Sequence, residues 1–168
     1  DERYQERQAQ CQEALHDLQT VIAIQNLSEL TADVFEQVQE MIRRPVCLRR
    51  ARHAVTENQR TIQAVEALNK GDIREFGQLM NASHLSLKED FEVSCEELDI
   101  LVEEAWEIEG VLGSRMMGAG FGGCTVSIVK DEAVDSFIEK VGAAYKDKIG
   151  YAADFYVVEI GDGPVKLA

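Results

Sequence analysis

Basic residues are scarce in this chain. Seventeen Lys and Arg stand against 31 Asp and Glu, a formal net charge of −14 over 168 residues. Such a surface repels nucleic acid and anionic lipid, whose binding relies on Lys and Arg against phosphate, so neither is expected as a partner. It also repels ATP at long range, so any nucleotide site must rest on local donors. No apolar run approaches the roughly 18 residues of a membrane span. Cysteine is sparse too: Cys11, Cys47, Cys95 and Cys124 lie at long, irregular spacings without a C-x-x-C pair, which argues against a zinc site. Four cysteines could form two disulfides, but each sits in an apolar-periodic segment. Free buried thiols in a reducing cytosol are the expectation. His53 and His84 have no partner at metal-ligand spacing and are expected to be structural. There are no repeats, low-complexity tracts or linkers.

The length suits one domain, able to bury roughly 70% of its unfolded surface. Apolar periodicity predicts a helix from residue 2 to about 24, with Cys11, Ala14, Leu15, Leu18, Val21 and Ile22 on one face. Thr31 is placed to cap a short helix carrying Val34, Phe35 and Val38. Pro45 marks a break. A long helix follows, with Leu48, Ala51, Val55, Ile62, Val65 and Leu68 along one side. Gly71 suits its C-terminal cap, and Asp72 suits the N-cap of a helix burying Ile73, Phe76 and Met80. Ser94 with Glu97 reads as a capping box before Leu98, Leu101, Val102 and Ala105. Strands are predicted at 111–117, 124–130 and 154–160, with a helix opened by Asp131 and closed by Gly150 between the last two. Helices followed by a hairpin, a helix and a strand define an α+β fold.

Against this background one segment stands apart. Four glycines fall in the six positions Gly118 to Gly123, around Ala119 and Phe121. Glycine is entropically costly where it is not needed, so the chain must turn sharply there or approach something closely. Bare main-chain N–H groups in such a turn can cradle an anion. The pattern satisfies G-x-G-x-x-G, yet that dinucleotide fingerprint opens a helix, whereas Cys124 to Val129 read as a strand. A wide hairpin fits better.

The run from Ser114 through Val126 resembles the third motif of the family of galacto-, homoserine, mevalonate and phosphomevalonate kinases, in its galactokinase form. Arg49 to Thr61, Asn81 to Leu87 continuing to Val93–Asp99, and Tyr4 to Arg7 with Cys11 seven residues after Tyr4 extend the resemblance over essentially all 168 residues. It implies a ferredoxin-like antiparallel sheet with several added helices, a single C-terminal domain over residues 1–168. The chain begins at Asp1, so the resemblance also implies that the sheet's first strand, the sugar-binding first motif, the Ser-rich nucleotide loop and the catalytic Asp with its Arg lie in a preceding N-terminal half. No catalytic residue is then expected here, and the isolated chain should be silent with ATP, Mg²⁺ and galactose. ATP with Mg²⁺ would be held mainly by that half.

The resemblance assigns Tyr4 to the bound galactose, and it makes Gly118, Ala119, Gly120, Phe121, Gly122 and Gly123 a wall near the phosphate. Met117 departs from the family, where Thr is frequent, so no side-chain role is expected at 117. The activity implied is transfer of the ATP γ-phosphoryl group to the C1 hydroxyl of galactose, in the cytoplasm. The alternatives are a kinase for N-acetylgalactosamine and a non-catalytic sugar and nucleotide sensor on the same fold. The cluster Arg43, Arg44, Arg49, Arg50 and Arg52 is expected to pair with carboxylates or face solvent. Glu57 is expected to pair with Arg60 or Arg50. An exposed sheet edge left by the missing strand would favour self-association.

Overall fold

A computed structural model describes residues 2–161. It contains, in chain order, α1 (Glu2–Leu18), α2 (Ala32–Val38), α3 (Pro45–Lys70), α4 (Ile73–Glu89), α5 (Glu96–Trp106), β1 (Val111–Met117), β2 (Cys124–Val129) and α6 (Val134–Ile149). The local signals act largely where the residue types place them. The Thr31 hydroxyl accepts from the Val34 N–H, and the Asp72 carboxylate accepts from the Glu75 N–H, each satisfying an orphan donor of a first turn. Gly71 and Gly150 close α3 and α6 in the left-handed conformation. Pro45 is the first residue of α3, where its missing N–H costs nothing.

Several expectations are corrected. The first helix ends at Leu18, and Thr20 to Ile22 turn back onto the main-chain carbonyls of Asp17 and Leu18. The N-cap of α5 is Cys95, and Ser94 instead donates to Asp99 at 2.5 Å, so there is no Ser94–Glu97 box. In α3 burial is concentrated in the first half, with Ala67 in the last turn also buried. Ile62, Val65 and Leu68 are about half exposed, because α1 and α2 pack on Cys47, Ala51 and Val55 and do not reach the last three turns. Residues 154–160 form no ladder and so are not a strand. Phe155 packs edge-on against Phe137 of α6, with ring centroids 6.0 Å apart, and lies 3.3 Å from where a Cβ on Gly142 would sit. This anchor holds the segment on α6, away from the sheet, and leaves Tyr156, Val157, Val158 and Ile160 exposed. Cys124 is exposed, whereas Cys47 is buried and Cys11 and Cys95 are half-buried; all four thiols are free.

Two cores result. One joins α1, α2 and the first half of α3 around Leu18, Phe35 and Val55. The other gathers Val93, Leu98 and Met116, with Phe91 and Phe121 packed against them. β1 and β2 pair antiparallel, with Ser114 opposite Ser127 and Met116 opposite Thr125. The main-chain N–H of Ser114 does not turn to β2. It donates to Asn81 Oδ1 at 2.8 Å, and the Met116 N–H donates to His84 Nδ1 at 3.2 Å. Trp106 Nε1 donates to the Ser114 carbonyl at 3.3 Å and to Asn81 Oδ1 at 2.7 Å. Side chains of α4 and α5 thus stand where a further strand would be, and the outer edge of β1 is closed. Pairs of this kind point their main-chain groups away from each other, so those of Thr125 and Ser127 face outward on β2. No third strand covers them among the described residues.

Close approach of α4 to β1 requires two glycines. A Cβ on Gly77 would lie 2.1 Å from the Leu112 carbonyl oxygen, and one on Gly113 would lie 2.3 Å from the Gly77 oxygen. Gly77→Ala is therefore expected to cost about 3 kcal/mol and to lower the melting temperature by about 6–10 °C. Gly71→Ala meets no atom within 4 Å and pays only for its φ of +72°, about 1 kcal/mol. Thermal unfolding of the two variants side by side checks the difference.

Candidate functional site

The first turns of α1 meet the glycine-rich hairpin. The Arg3 guanidinium lies over the Phe121 ring at 4.1 Å, and that of Arg7 lies 5.8 Å from its centroid. Tyr4, one turn before Arg7, lines an open groove of about 270 Å³ with Arg7, Gln8, Cys11 and Phe91. Tyr4 is 54% exposed and its hydroxyl has no hydrogen bond to another described residue, which leaves it able to donate and accept. The groove and the hairpin are thus neighbours, joined through Arg3, Arg7 and Phe121.

The loop has two halves of different character. Gly118, Gly120, Phe121, Gly122 and Gly123 all have φ between +60° and +131°. Gly120 is fixed from below: a Cβ there would meet the Val93 carbonyl oxygen at 2.2 Å and the Met116 methyl at 2.9 Å, and the next residue's N–H donates to the same carbonyl at 2.7 Å. The close approach inferred for this glycine is to the chain's own backbone. A Cβ on Gly118, Gly122 or Gly123 would have no atom within 4 Å, and Met117 and Ala119 are exposed. These parts of the loop, with uncovered main-chain donors, are what a ligand could approach.

Val93 ends a short strap, residues 90–93, that arginines hold from three sides. Arg7 Nε donates to the Phe91 carbonyl at 2.7 Å, and its Nη2 donates to the Glu92 carbonyl at 2.9 Å. Arg50, only 2% exposed, donates to Gln10 Oε1 at 2.7 Å, the Asp90 carbonyl at 2.6 Å and the Glu92 carboxylate at 2.5 Å. Arg49 adds a 3.1 Å contact to that carboxylate, and Arg52 reaches Asp90 at 3.3 Å. Hydrogen bonds from Arg50 hold the Glu92 carboxyl below its ordinary range. Arg43 and Arg44 pair with Asp17 and Glu13. The expectation that the arginine island pairs with carboxylates therefore holds. The strap itself has no sequence signal, because Glu92 gives no hint of a turn.

His53 and His84 are held in structural roles. His53 accepts or donates at Nδ1 with Ser86 Oγ at 2.9 Å and stacks on Phe91 at 4.5 Å. Burial brings its pKa down to about 4, against the opposing pull of the Glu57 carboxylate. His84 is buried, and its Nδ1 accepts the Met116 N–H, so its proton sits on Nε2, 3.4 Å from Asp99 Oδ1 without an aligned hydrogen bond. Burial lowers its pKa as well. Burial pushes the Glu57 carboxyl up, but the Ser83 hydroxyl at 2.5 Å and Arg60 at 2.7 Å outweigh it and hold it low. Among the described residues, no three His, Cys, Asp or Glu side chains converge on a metal position. No helix among them is long and apolar enough to cross a membrane.

The fold and this hairpin agree with comparisons to known proteins. Residues 64–147 match the family model described as GHMP kinases C terminal. The chain is 56% identical over 167 residues to the galactokinase of Clostridium acetobutylicum and equally to that of Enterococcus faecalis, covering 99% of this chain and 43% of each relative. A crystal structure of Lactococcus lactis galactokinase complexed with galactose superposes with a TM-score of 0.94 at 47% identity, over 99% of this chain and 43% of that one. A crystal structure of L. major mevalonate kinase in complex with R-mevalonate matches 72% of this chain and 35% of its own, at a TM-score of 0.51 and 30% identity. This chain belongs to the GHMP kinase family and has the fold of its C-terminal domain. It spans less than half the length of the galactokinases it matches.

Two outcomes test the geometry. Gly120→Ala is expected to unfold several degrees below the parent because a methyl collides with the Val93 carbonyl, whereas Gly122→Ala, with open space beside it, loses about 1 kcal/mol from strain alone. Acid is the second probe. A histidine whose folded pKa lies below its unfolded value of 6.5 supports the fold fully above 6.5. That support is lost as pH falls toward about 4, because the unfolded chain takes up the proton first. His53→Gln should flatten the fall in stability between pH 6.5 and 4, removing on the order of 2–3 kcal/mol of pH dependence in urea titrations.

Proposed function

We propose that the complete protein is a galactokinase, transferring the γ-phosphoryl group of ATP to the C1 hydroxyl of galactose, and that this chain forms one side of its cleft. The observation that carries the reading is the contact between the Tyr4 helix and the glycine hairpin through Arg3, Arg7 and Phe121, in a chain 56% identical to galactokinases. The Tyr4 hydroxyl would hold galactose, and the open half of the loop, Gly118, Ala119, Gly122 and Gly123, would border the phosphates. Gly120 and Phe121 would fix that wall from behind.

Phosphoryl transfer rests mainly on positioning and on neutralising charge. This chain's residues would supply positioning: a hydroxyl at the sugar and main-chain dipoles at the phosphate end. Magnesium, the catalytic carboxylate and most nucleotide contacts are assigned to the other half, and the enzyme to the cytoplasm. The galactose-complexed structure of the Lactococcus protein favours galactose over an N-acetylated relative.

In the complete kinase, Tyr4→Phe is expected to raise the apparent KM for galactose roughly two- to tenfold, the loss of one hydrogen bond worth about 0.5–1.5 kcal/mol, with little change for ATP. Steady-state kinetics varying each substrate in turn checks this, and an unchanged galactose KM and turnover excludes Tyr4. Self-association is proposed for this chain by itself, through the outward groups of Thr125 and Ser127. Light scattering over a hundredfold concentration range should show dimers, and a clean monomer throughout excludes it.

A further inference from the structure

Glu92 and Phe121 are the two residues other than glycine with positive φ among the described residues. Glu92 sits at φ +54°, a conformation that disfavours a long side chain and persists only where its surroundings enforce it. Three arginines enforce it here. Arg49 and Arg50 grip its carboxylate at 3.1 and 2.5 Å, and Arg7 grips its carbonyl at 2.9 Å. The next carbonyl, of Val93, is the one that receives the Phe121 N–H and abuts Gly120. A displacement of the strap at residue 92 is therefore passed to the base of the glycine loop one residue later. The Glu92 side chain is 45% exposed, so its core role is small and a variant can fold.

We propose that Glu92 is a positioning residue for phosphoryl transfer: clamped by Arg49 and Arg50 in a left-handed backbone conformation, it sets the Val93 carbonyl and so the placement of the Gly118–Gly123 loop against the phosphates. The inference rests on the reading of that loop as a wall near the phosphate. It assigns Glu92 no contact with either substrate. Tyr4 lines its groove beside Phe91 and not beside Glu92, and Arg7 of the same helix bonds the main-chain carbonyls of Phe91 and Glu92, acceptors that any side chain at 92 retains.

The test uses the complete kinase and the variants Glu92→Gly, Glu92→Gln and Gly122→Ala. Glycine keeps the left-handed backbone without strain and removes the clamp, while Gln keeps an acceptor for Arg50. Glu92→Gly is expected to raise the ATP KM about tenfold, with the galactose KM within twofold and the melting temperature within a few degrees. Glu92→Gln should recover part of that loss. A purely structural role would lower turnover through the folded fraction and leave both KM values unchanged, and that result overturns the proposal. An equal effect on both substrates overturns it too. If Gly122→Ala alters ATP use while Glu92→Gly does not, the loop reading survives and this inference fails. If neither variant alters ATP use, the loop is no phosphate wall and both fall.

Discussion

The contact on which the rest depends is main chain against main chain, where Gly77 of α4 meets Leu112 and Gly113 of β1. Only hydrogen fits at either Cα. That closeness lets Asn81 and His84, one and two turns farther along the helix, reach the N–H groups of Ser114 and Met116. A helix normally covers the face of a sheet, and here its side chains also satisfy an edge. An unpaired buried N–H costs about 1–3 kcal/mol, so the two acceptors replace a neighbouring strand where hydrogen-bonding groups would otherwise be left bare. His84 is held to one tautomer as a result, with its remaining proton near Asp99.

From that seam the order of positioning runs outward. β1 is fixed by α4, and its Met116 packs with Val93 and Leu98. Met116 and the Val93 carbonyl form the seat for Gly120, and Phe121 carries the loop to the arginines of α1. The first core, around Leu18 and Val55, holds α1 against α3, and α3 provides Arg49, Arg50 and Arg52. Both cores thus meet at the strap 90–93. Its hydrogen bonds tie the helix bearing Tyr4 to the loop, although the two are more than a hundred residues apart in sequence.

Much of this was legible in the sequence where a residue has one dominant local use. Thr31 and Asp72 cap because their oxygens reach a first-turn N–H, and Gly71 and Gly150 end helices because other residues resist φ > 0. The glycine density between two β-branched runs marked the hairpin, and Tyr4 with the loop emerged from a resemblance rather than from spacing. What the sequence hid depends on distant partners. Ser94 had the spacing of a capping box, but Asp99 offered its hydroxyl a closer acceptor. Residues 154–160 have strand composition, yet a strand exists only beside another, and Phe155 is claimed by α6. Gly120 was read as ligand-facing, whereas its constraint comes from the Val93 carbonyl, which no local pattern announces.

The arginines at the start of α3 and just before it change how salt acts on the whole molecule. Five of only 17 basic residues, Arg43, Arg44, Arg49, Arg50 and Arg52, are bound to carboxylates in one region. Over the whole surface the net charge of −14 leaves carboxylates in excess, and they repel one another. Added ions screen that repulsion beyond about 8 Å at physiological strength and favour compactness. The same ions weaken the exposed pairs of Arg43 and Arg44, whose side chains are 80% and 56% open to solvent. Arg50, almost wholly enclosed, is sheltered from them. Rising ionic strength therefore tightens the protein globally while loosening the rim of its most organised region, and the two effects oppose each other within one chain.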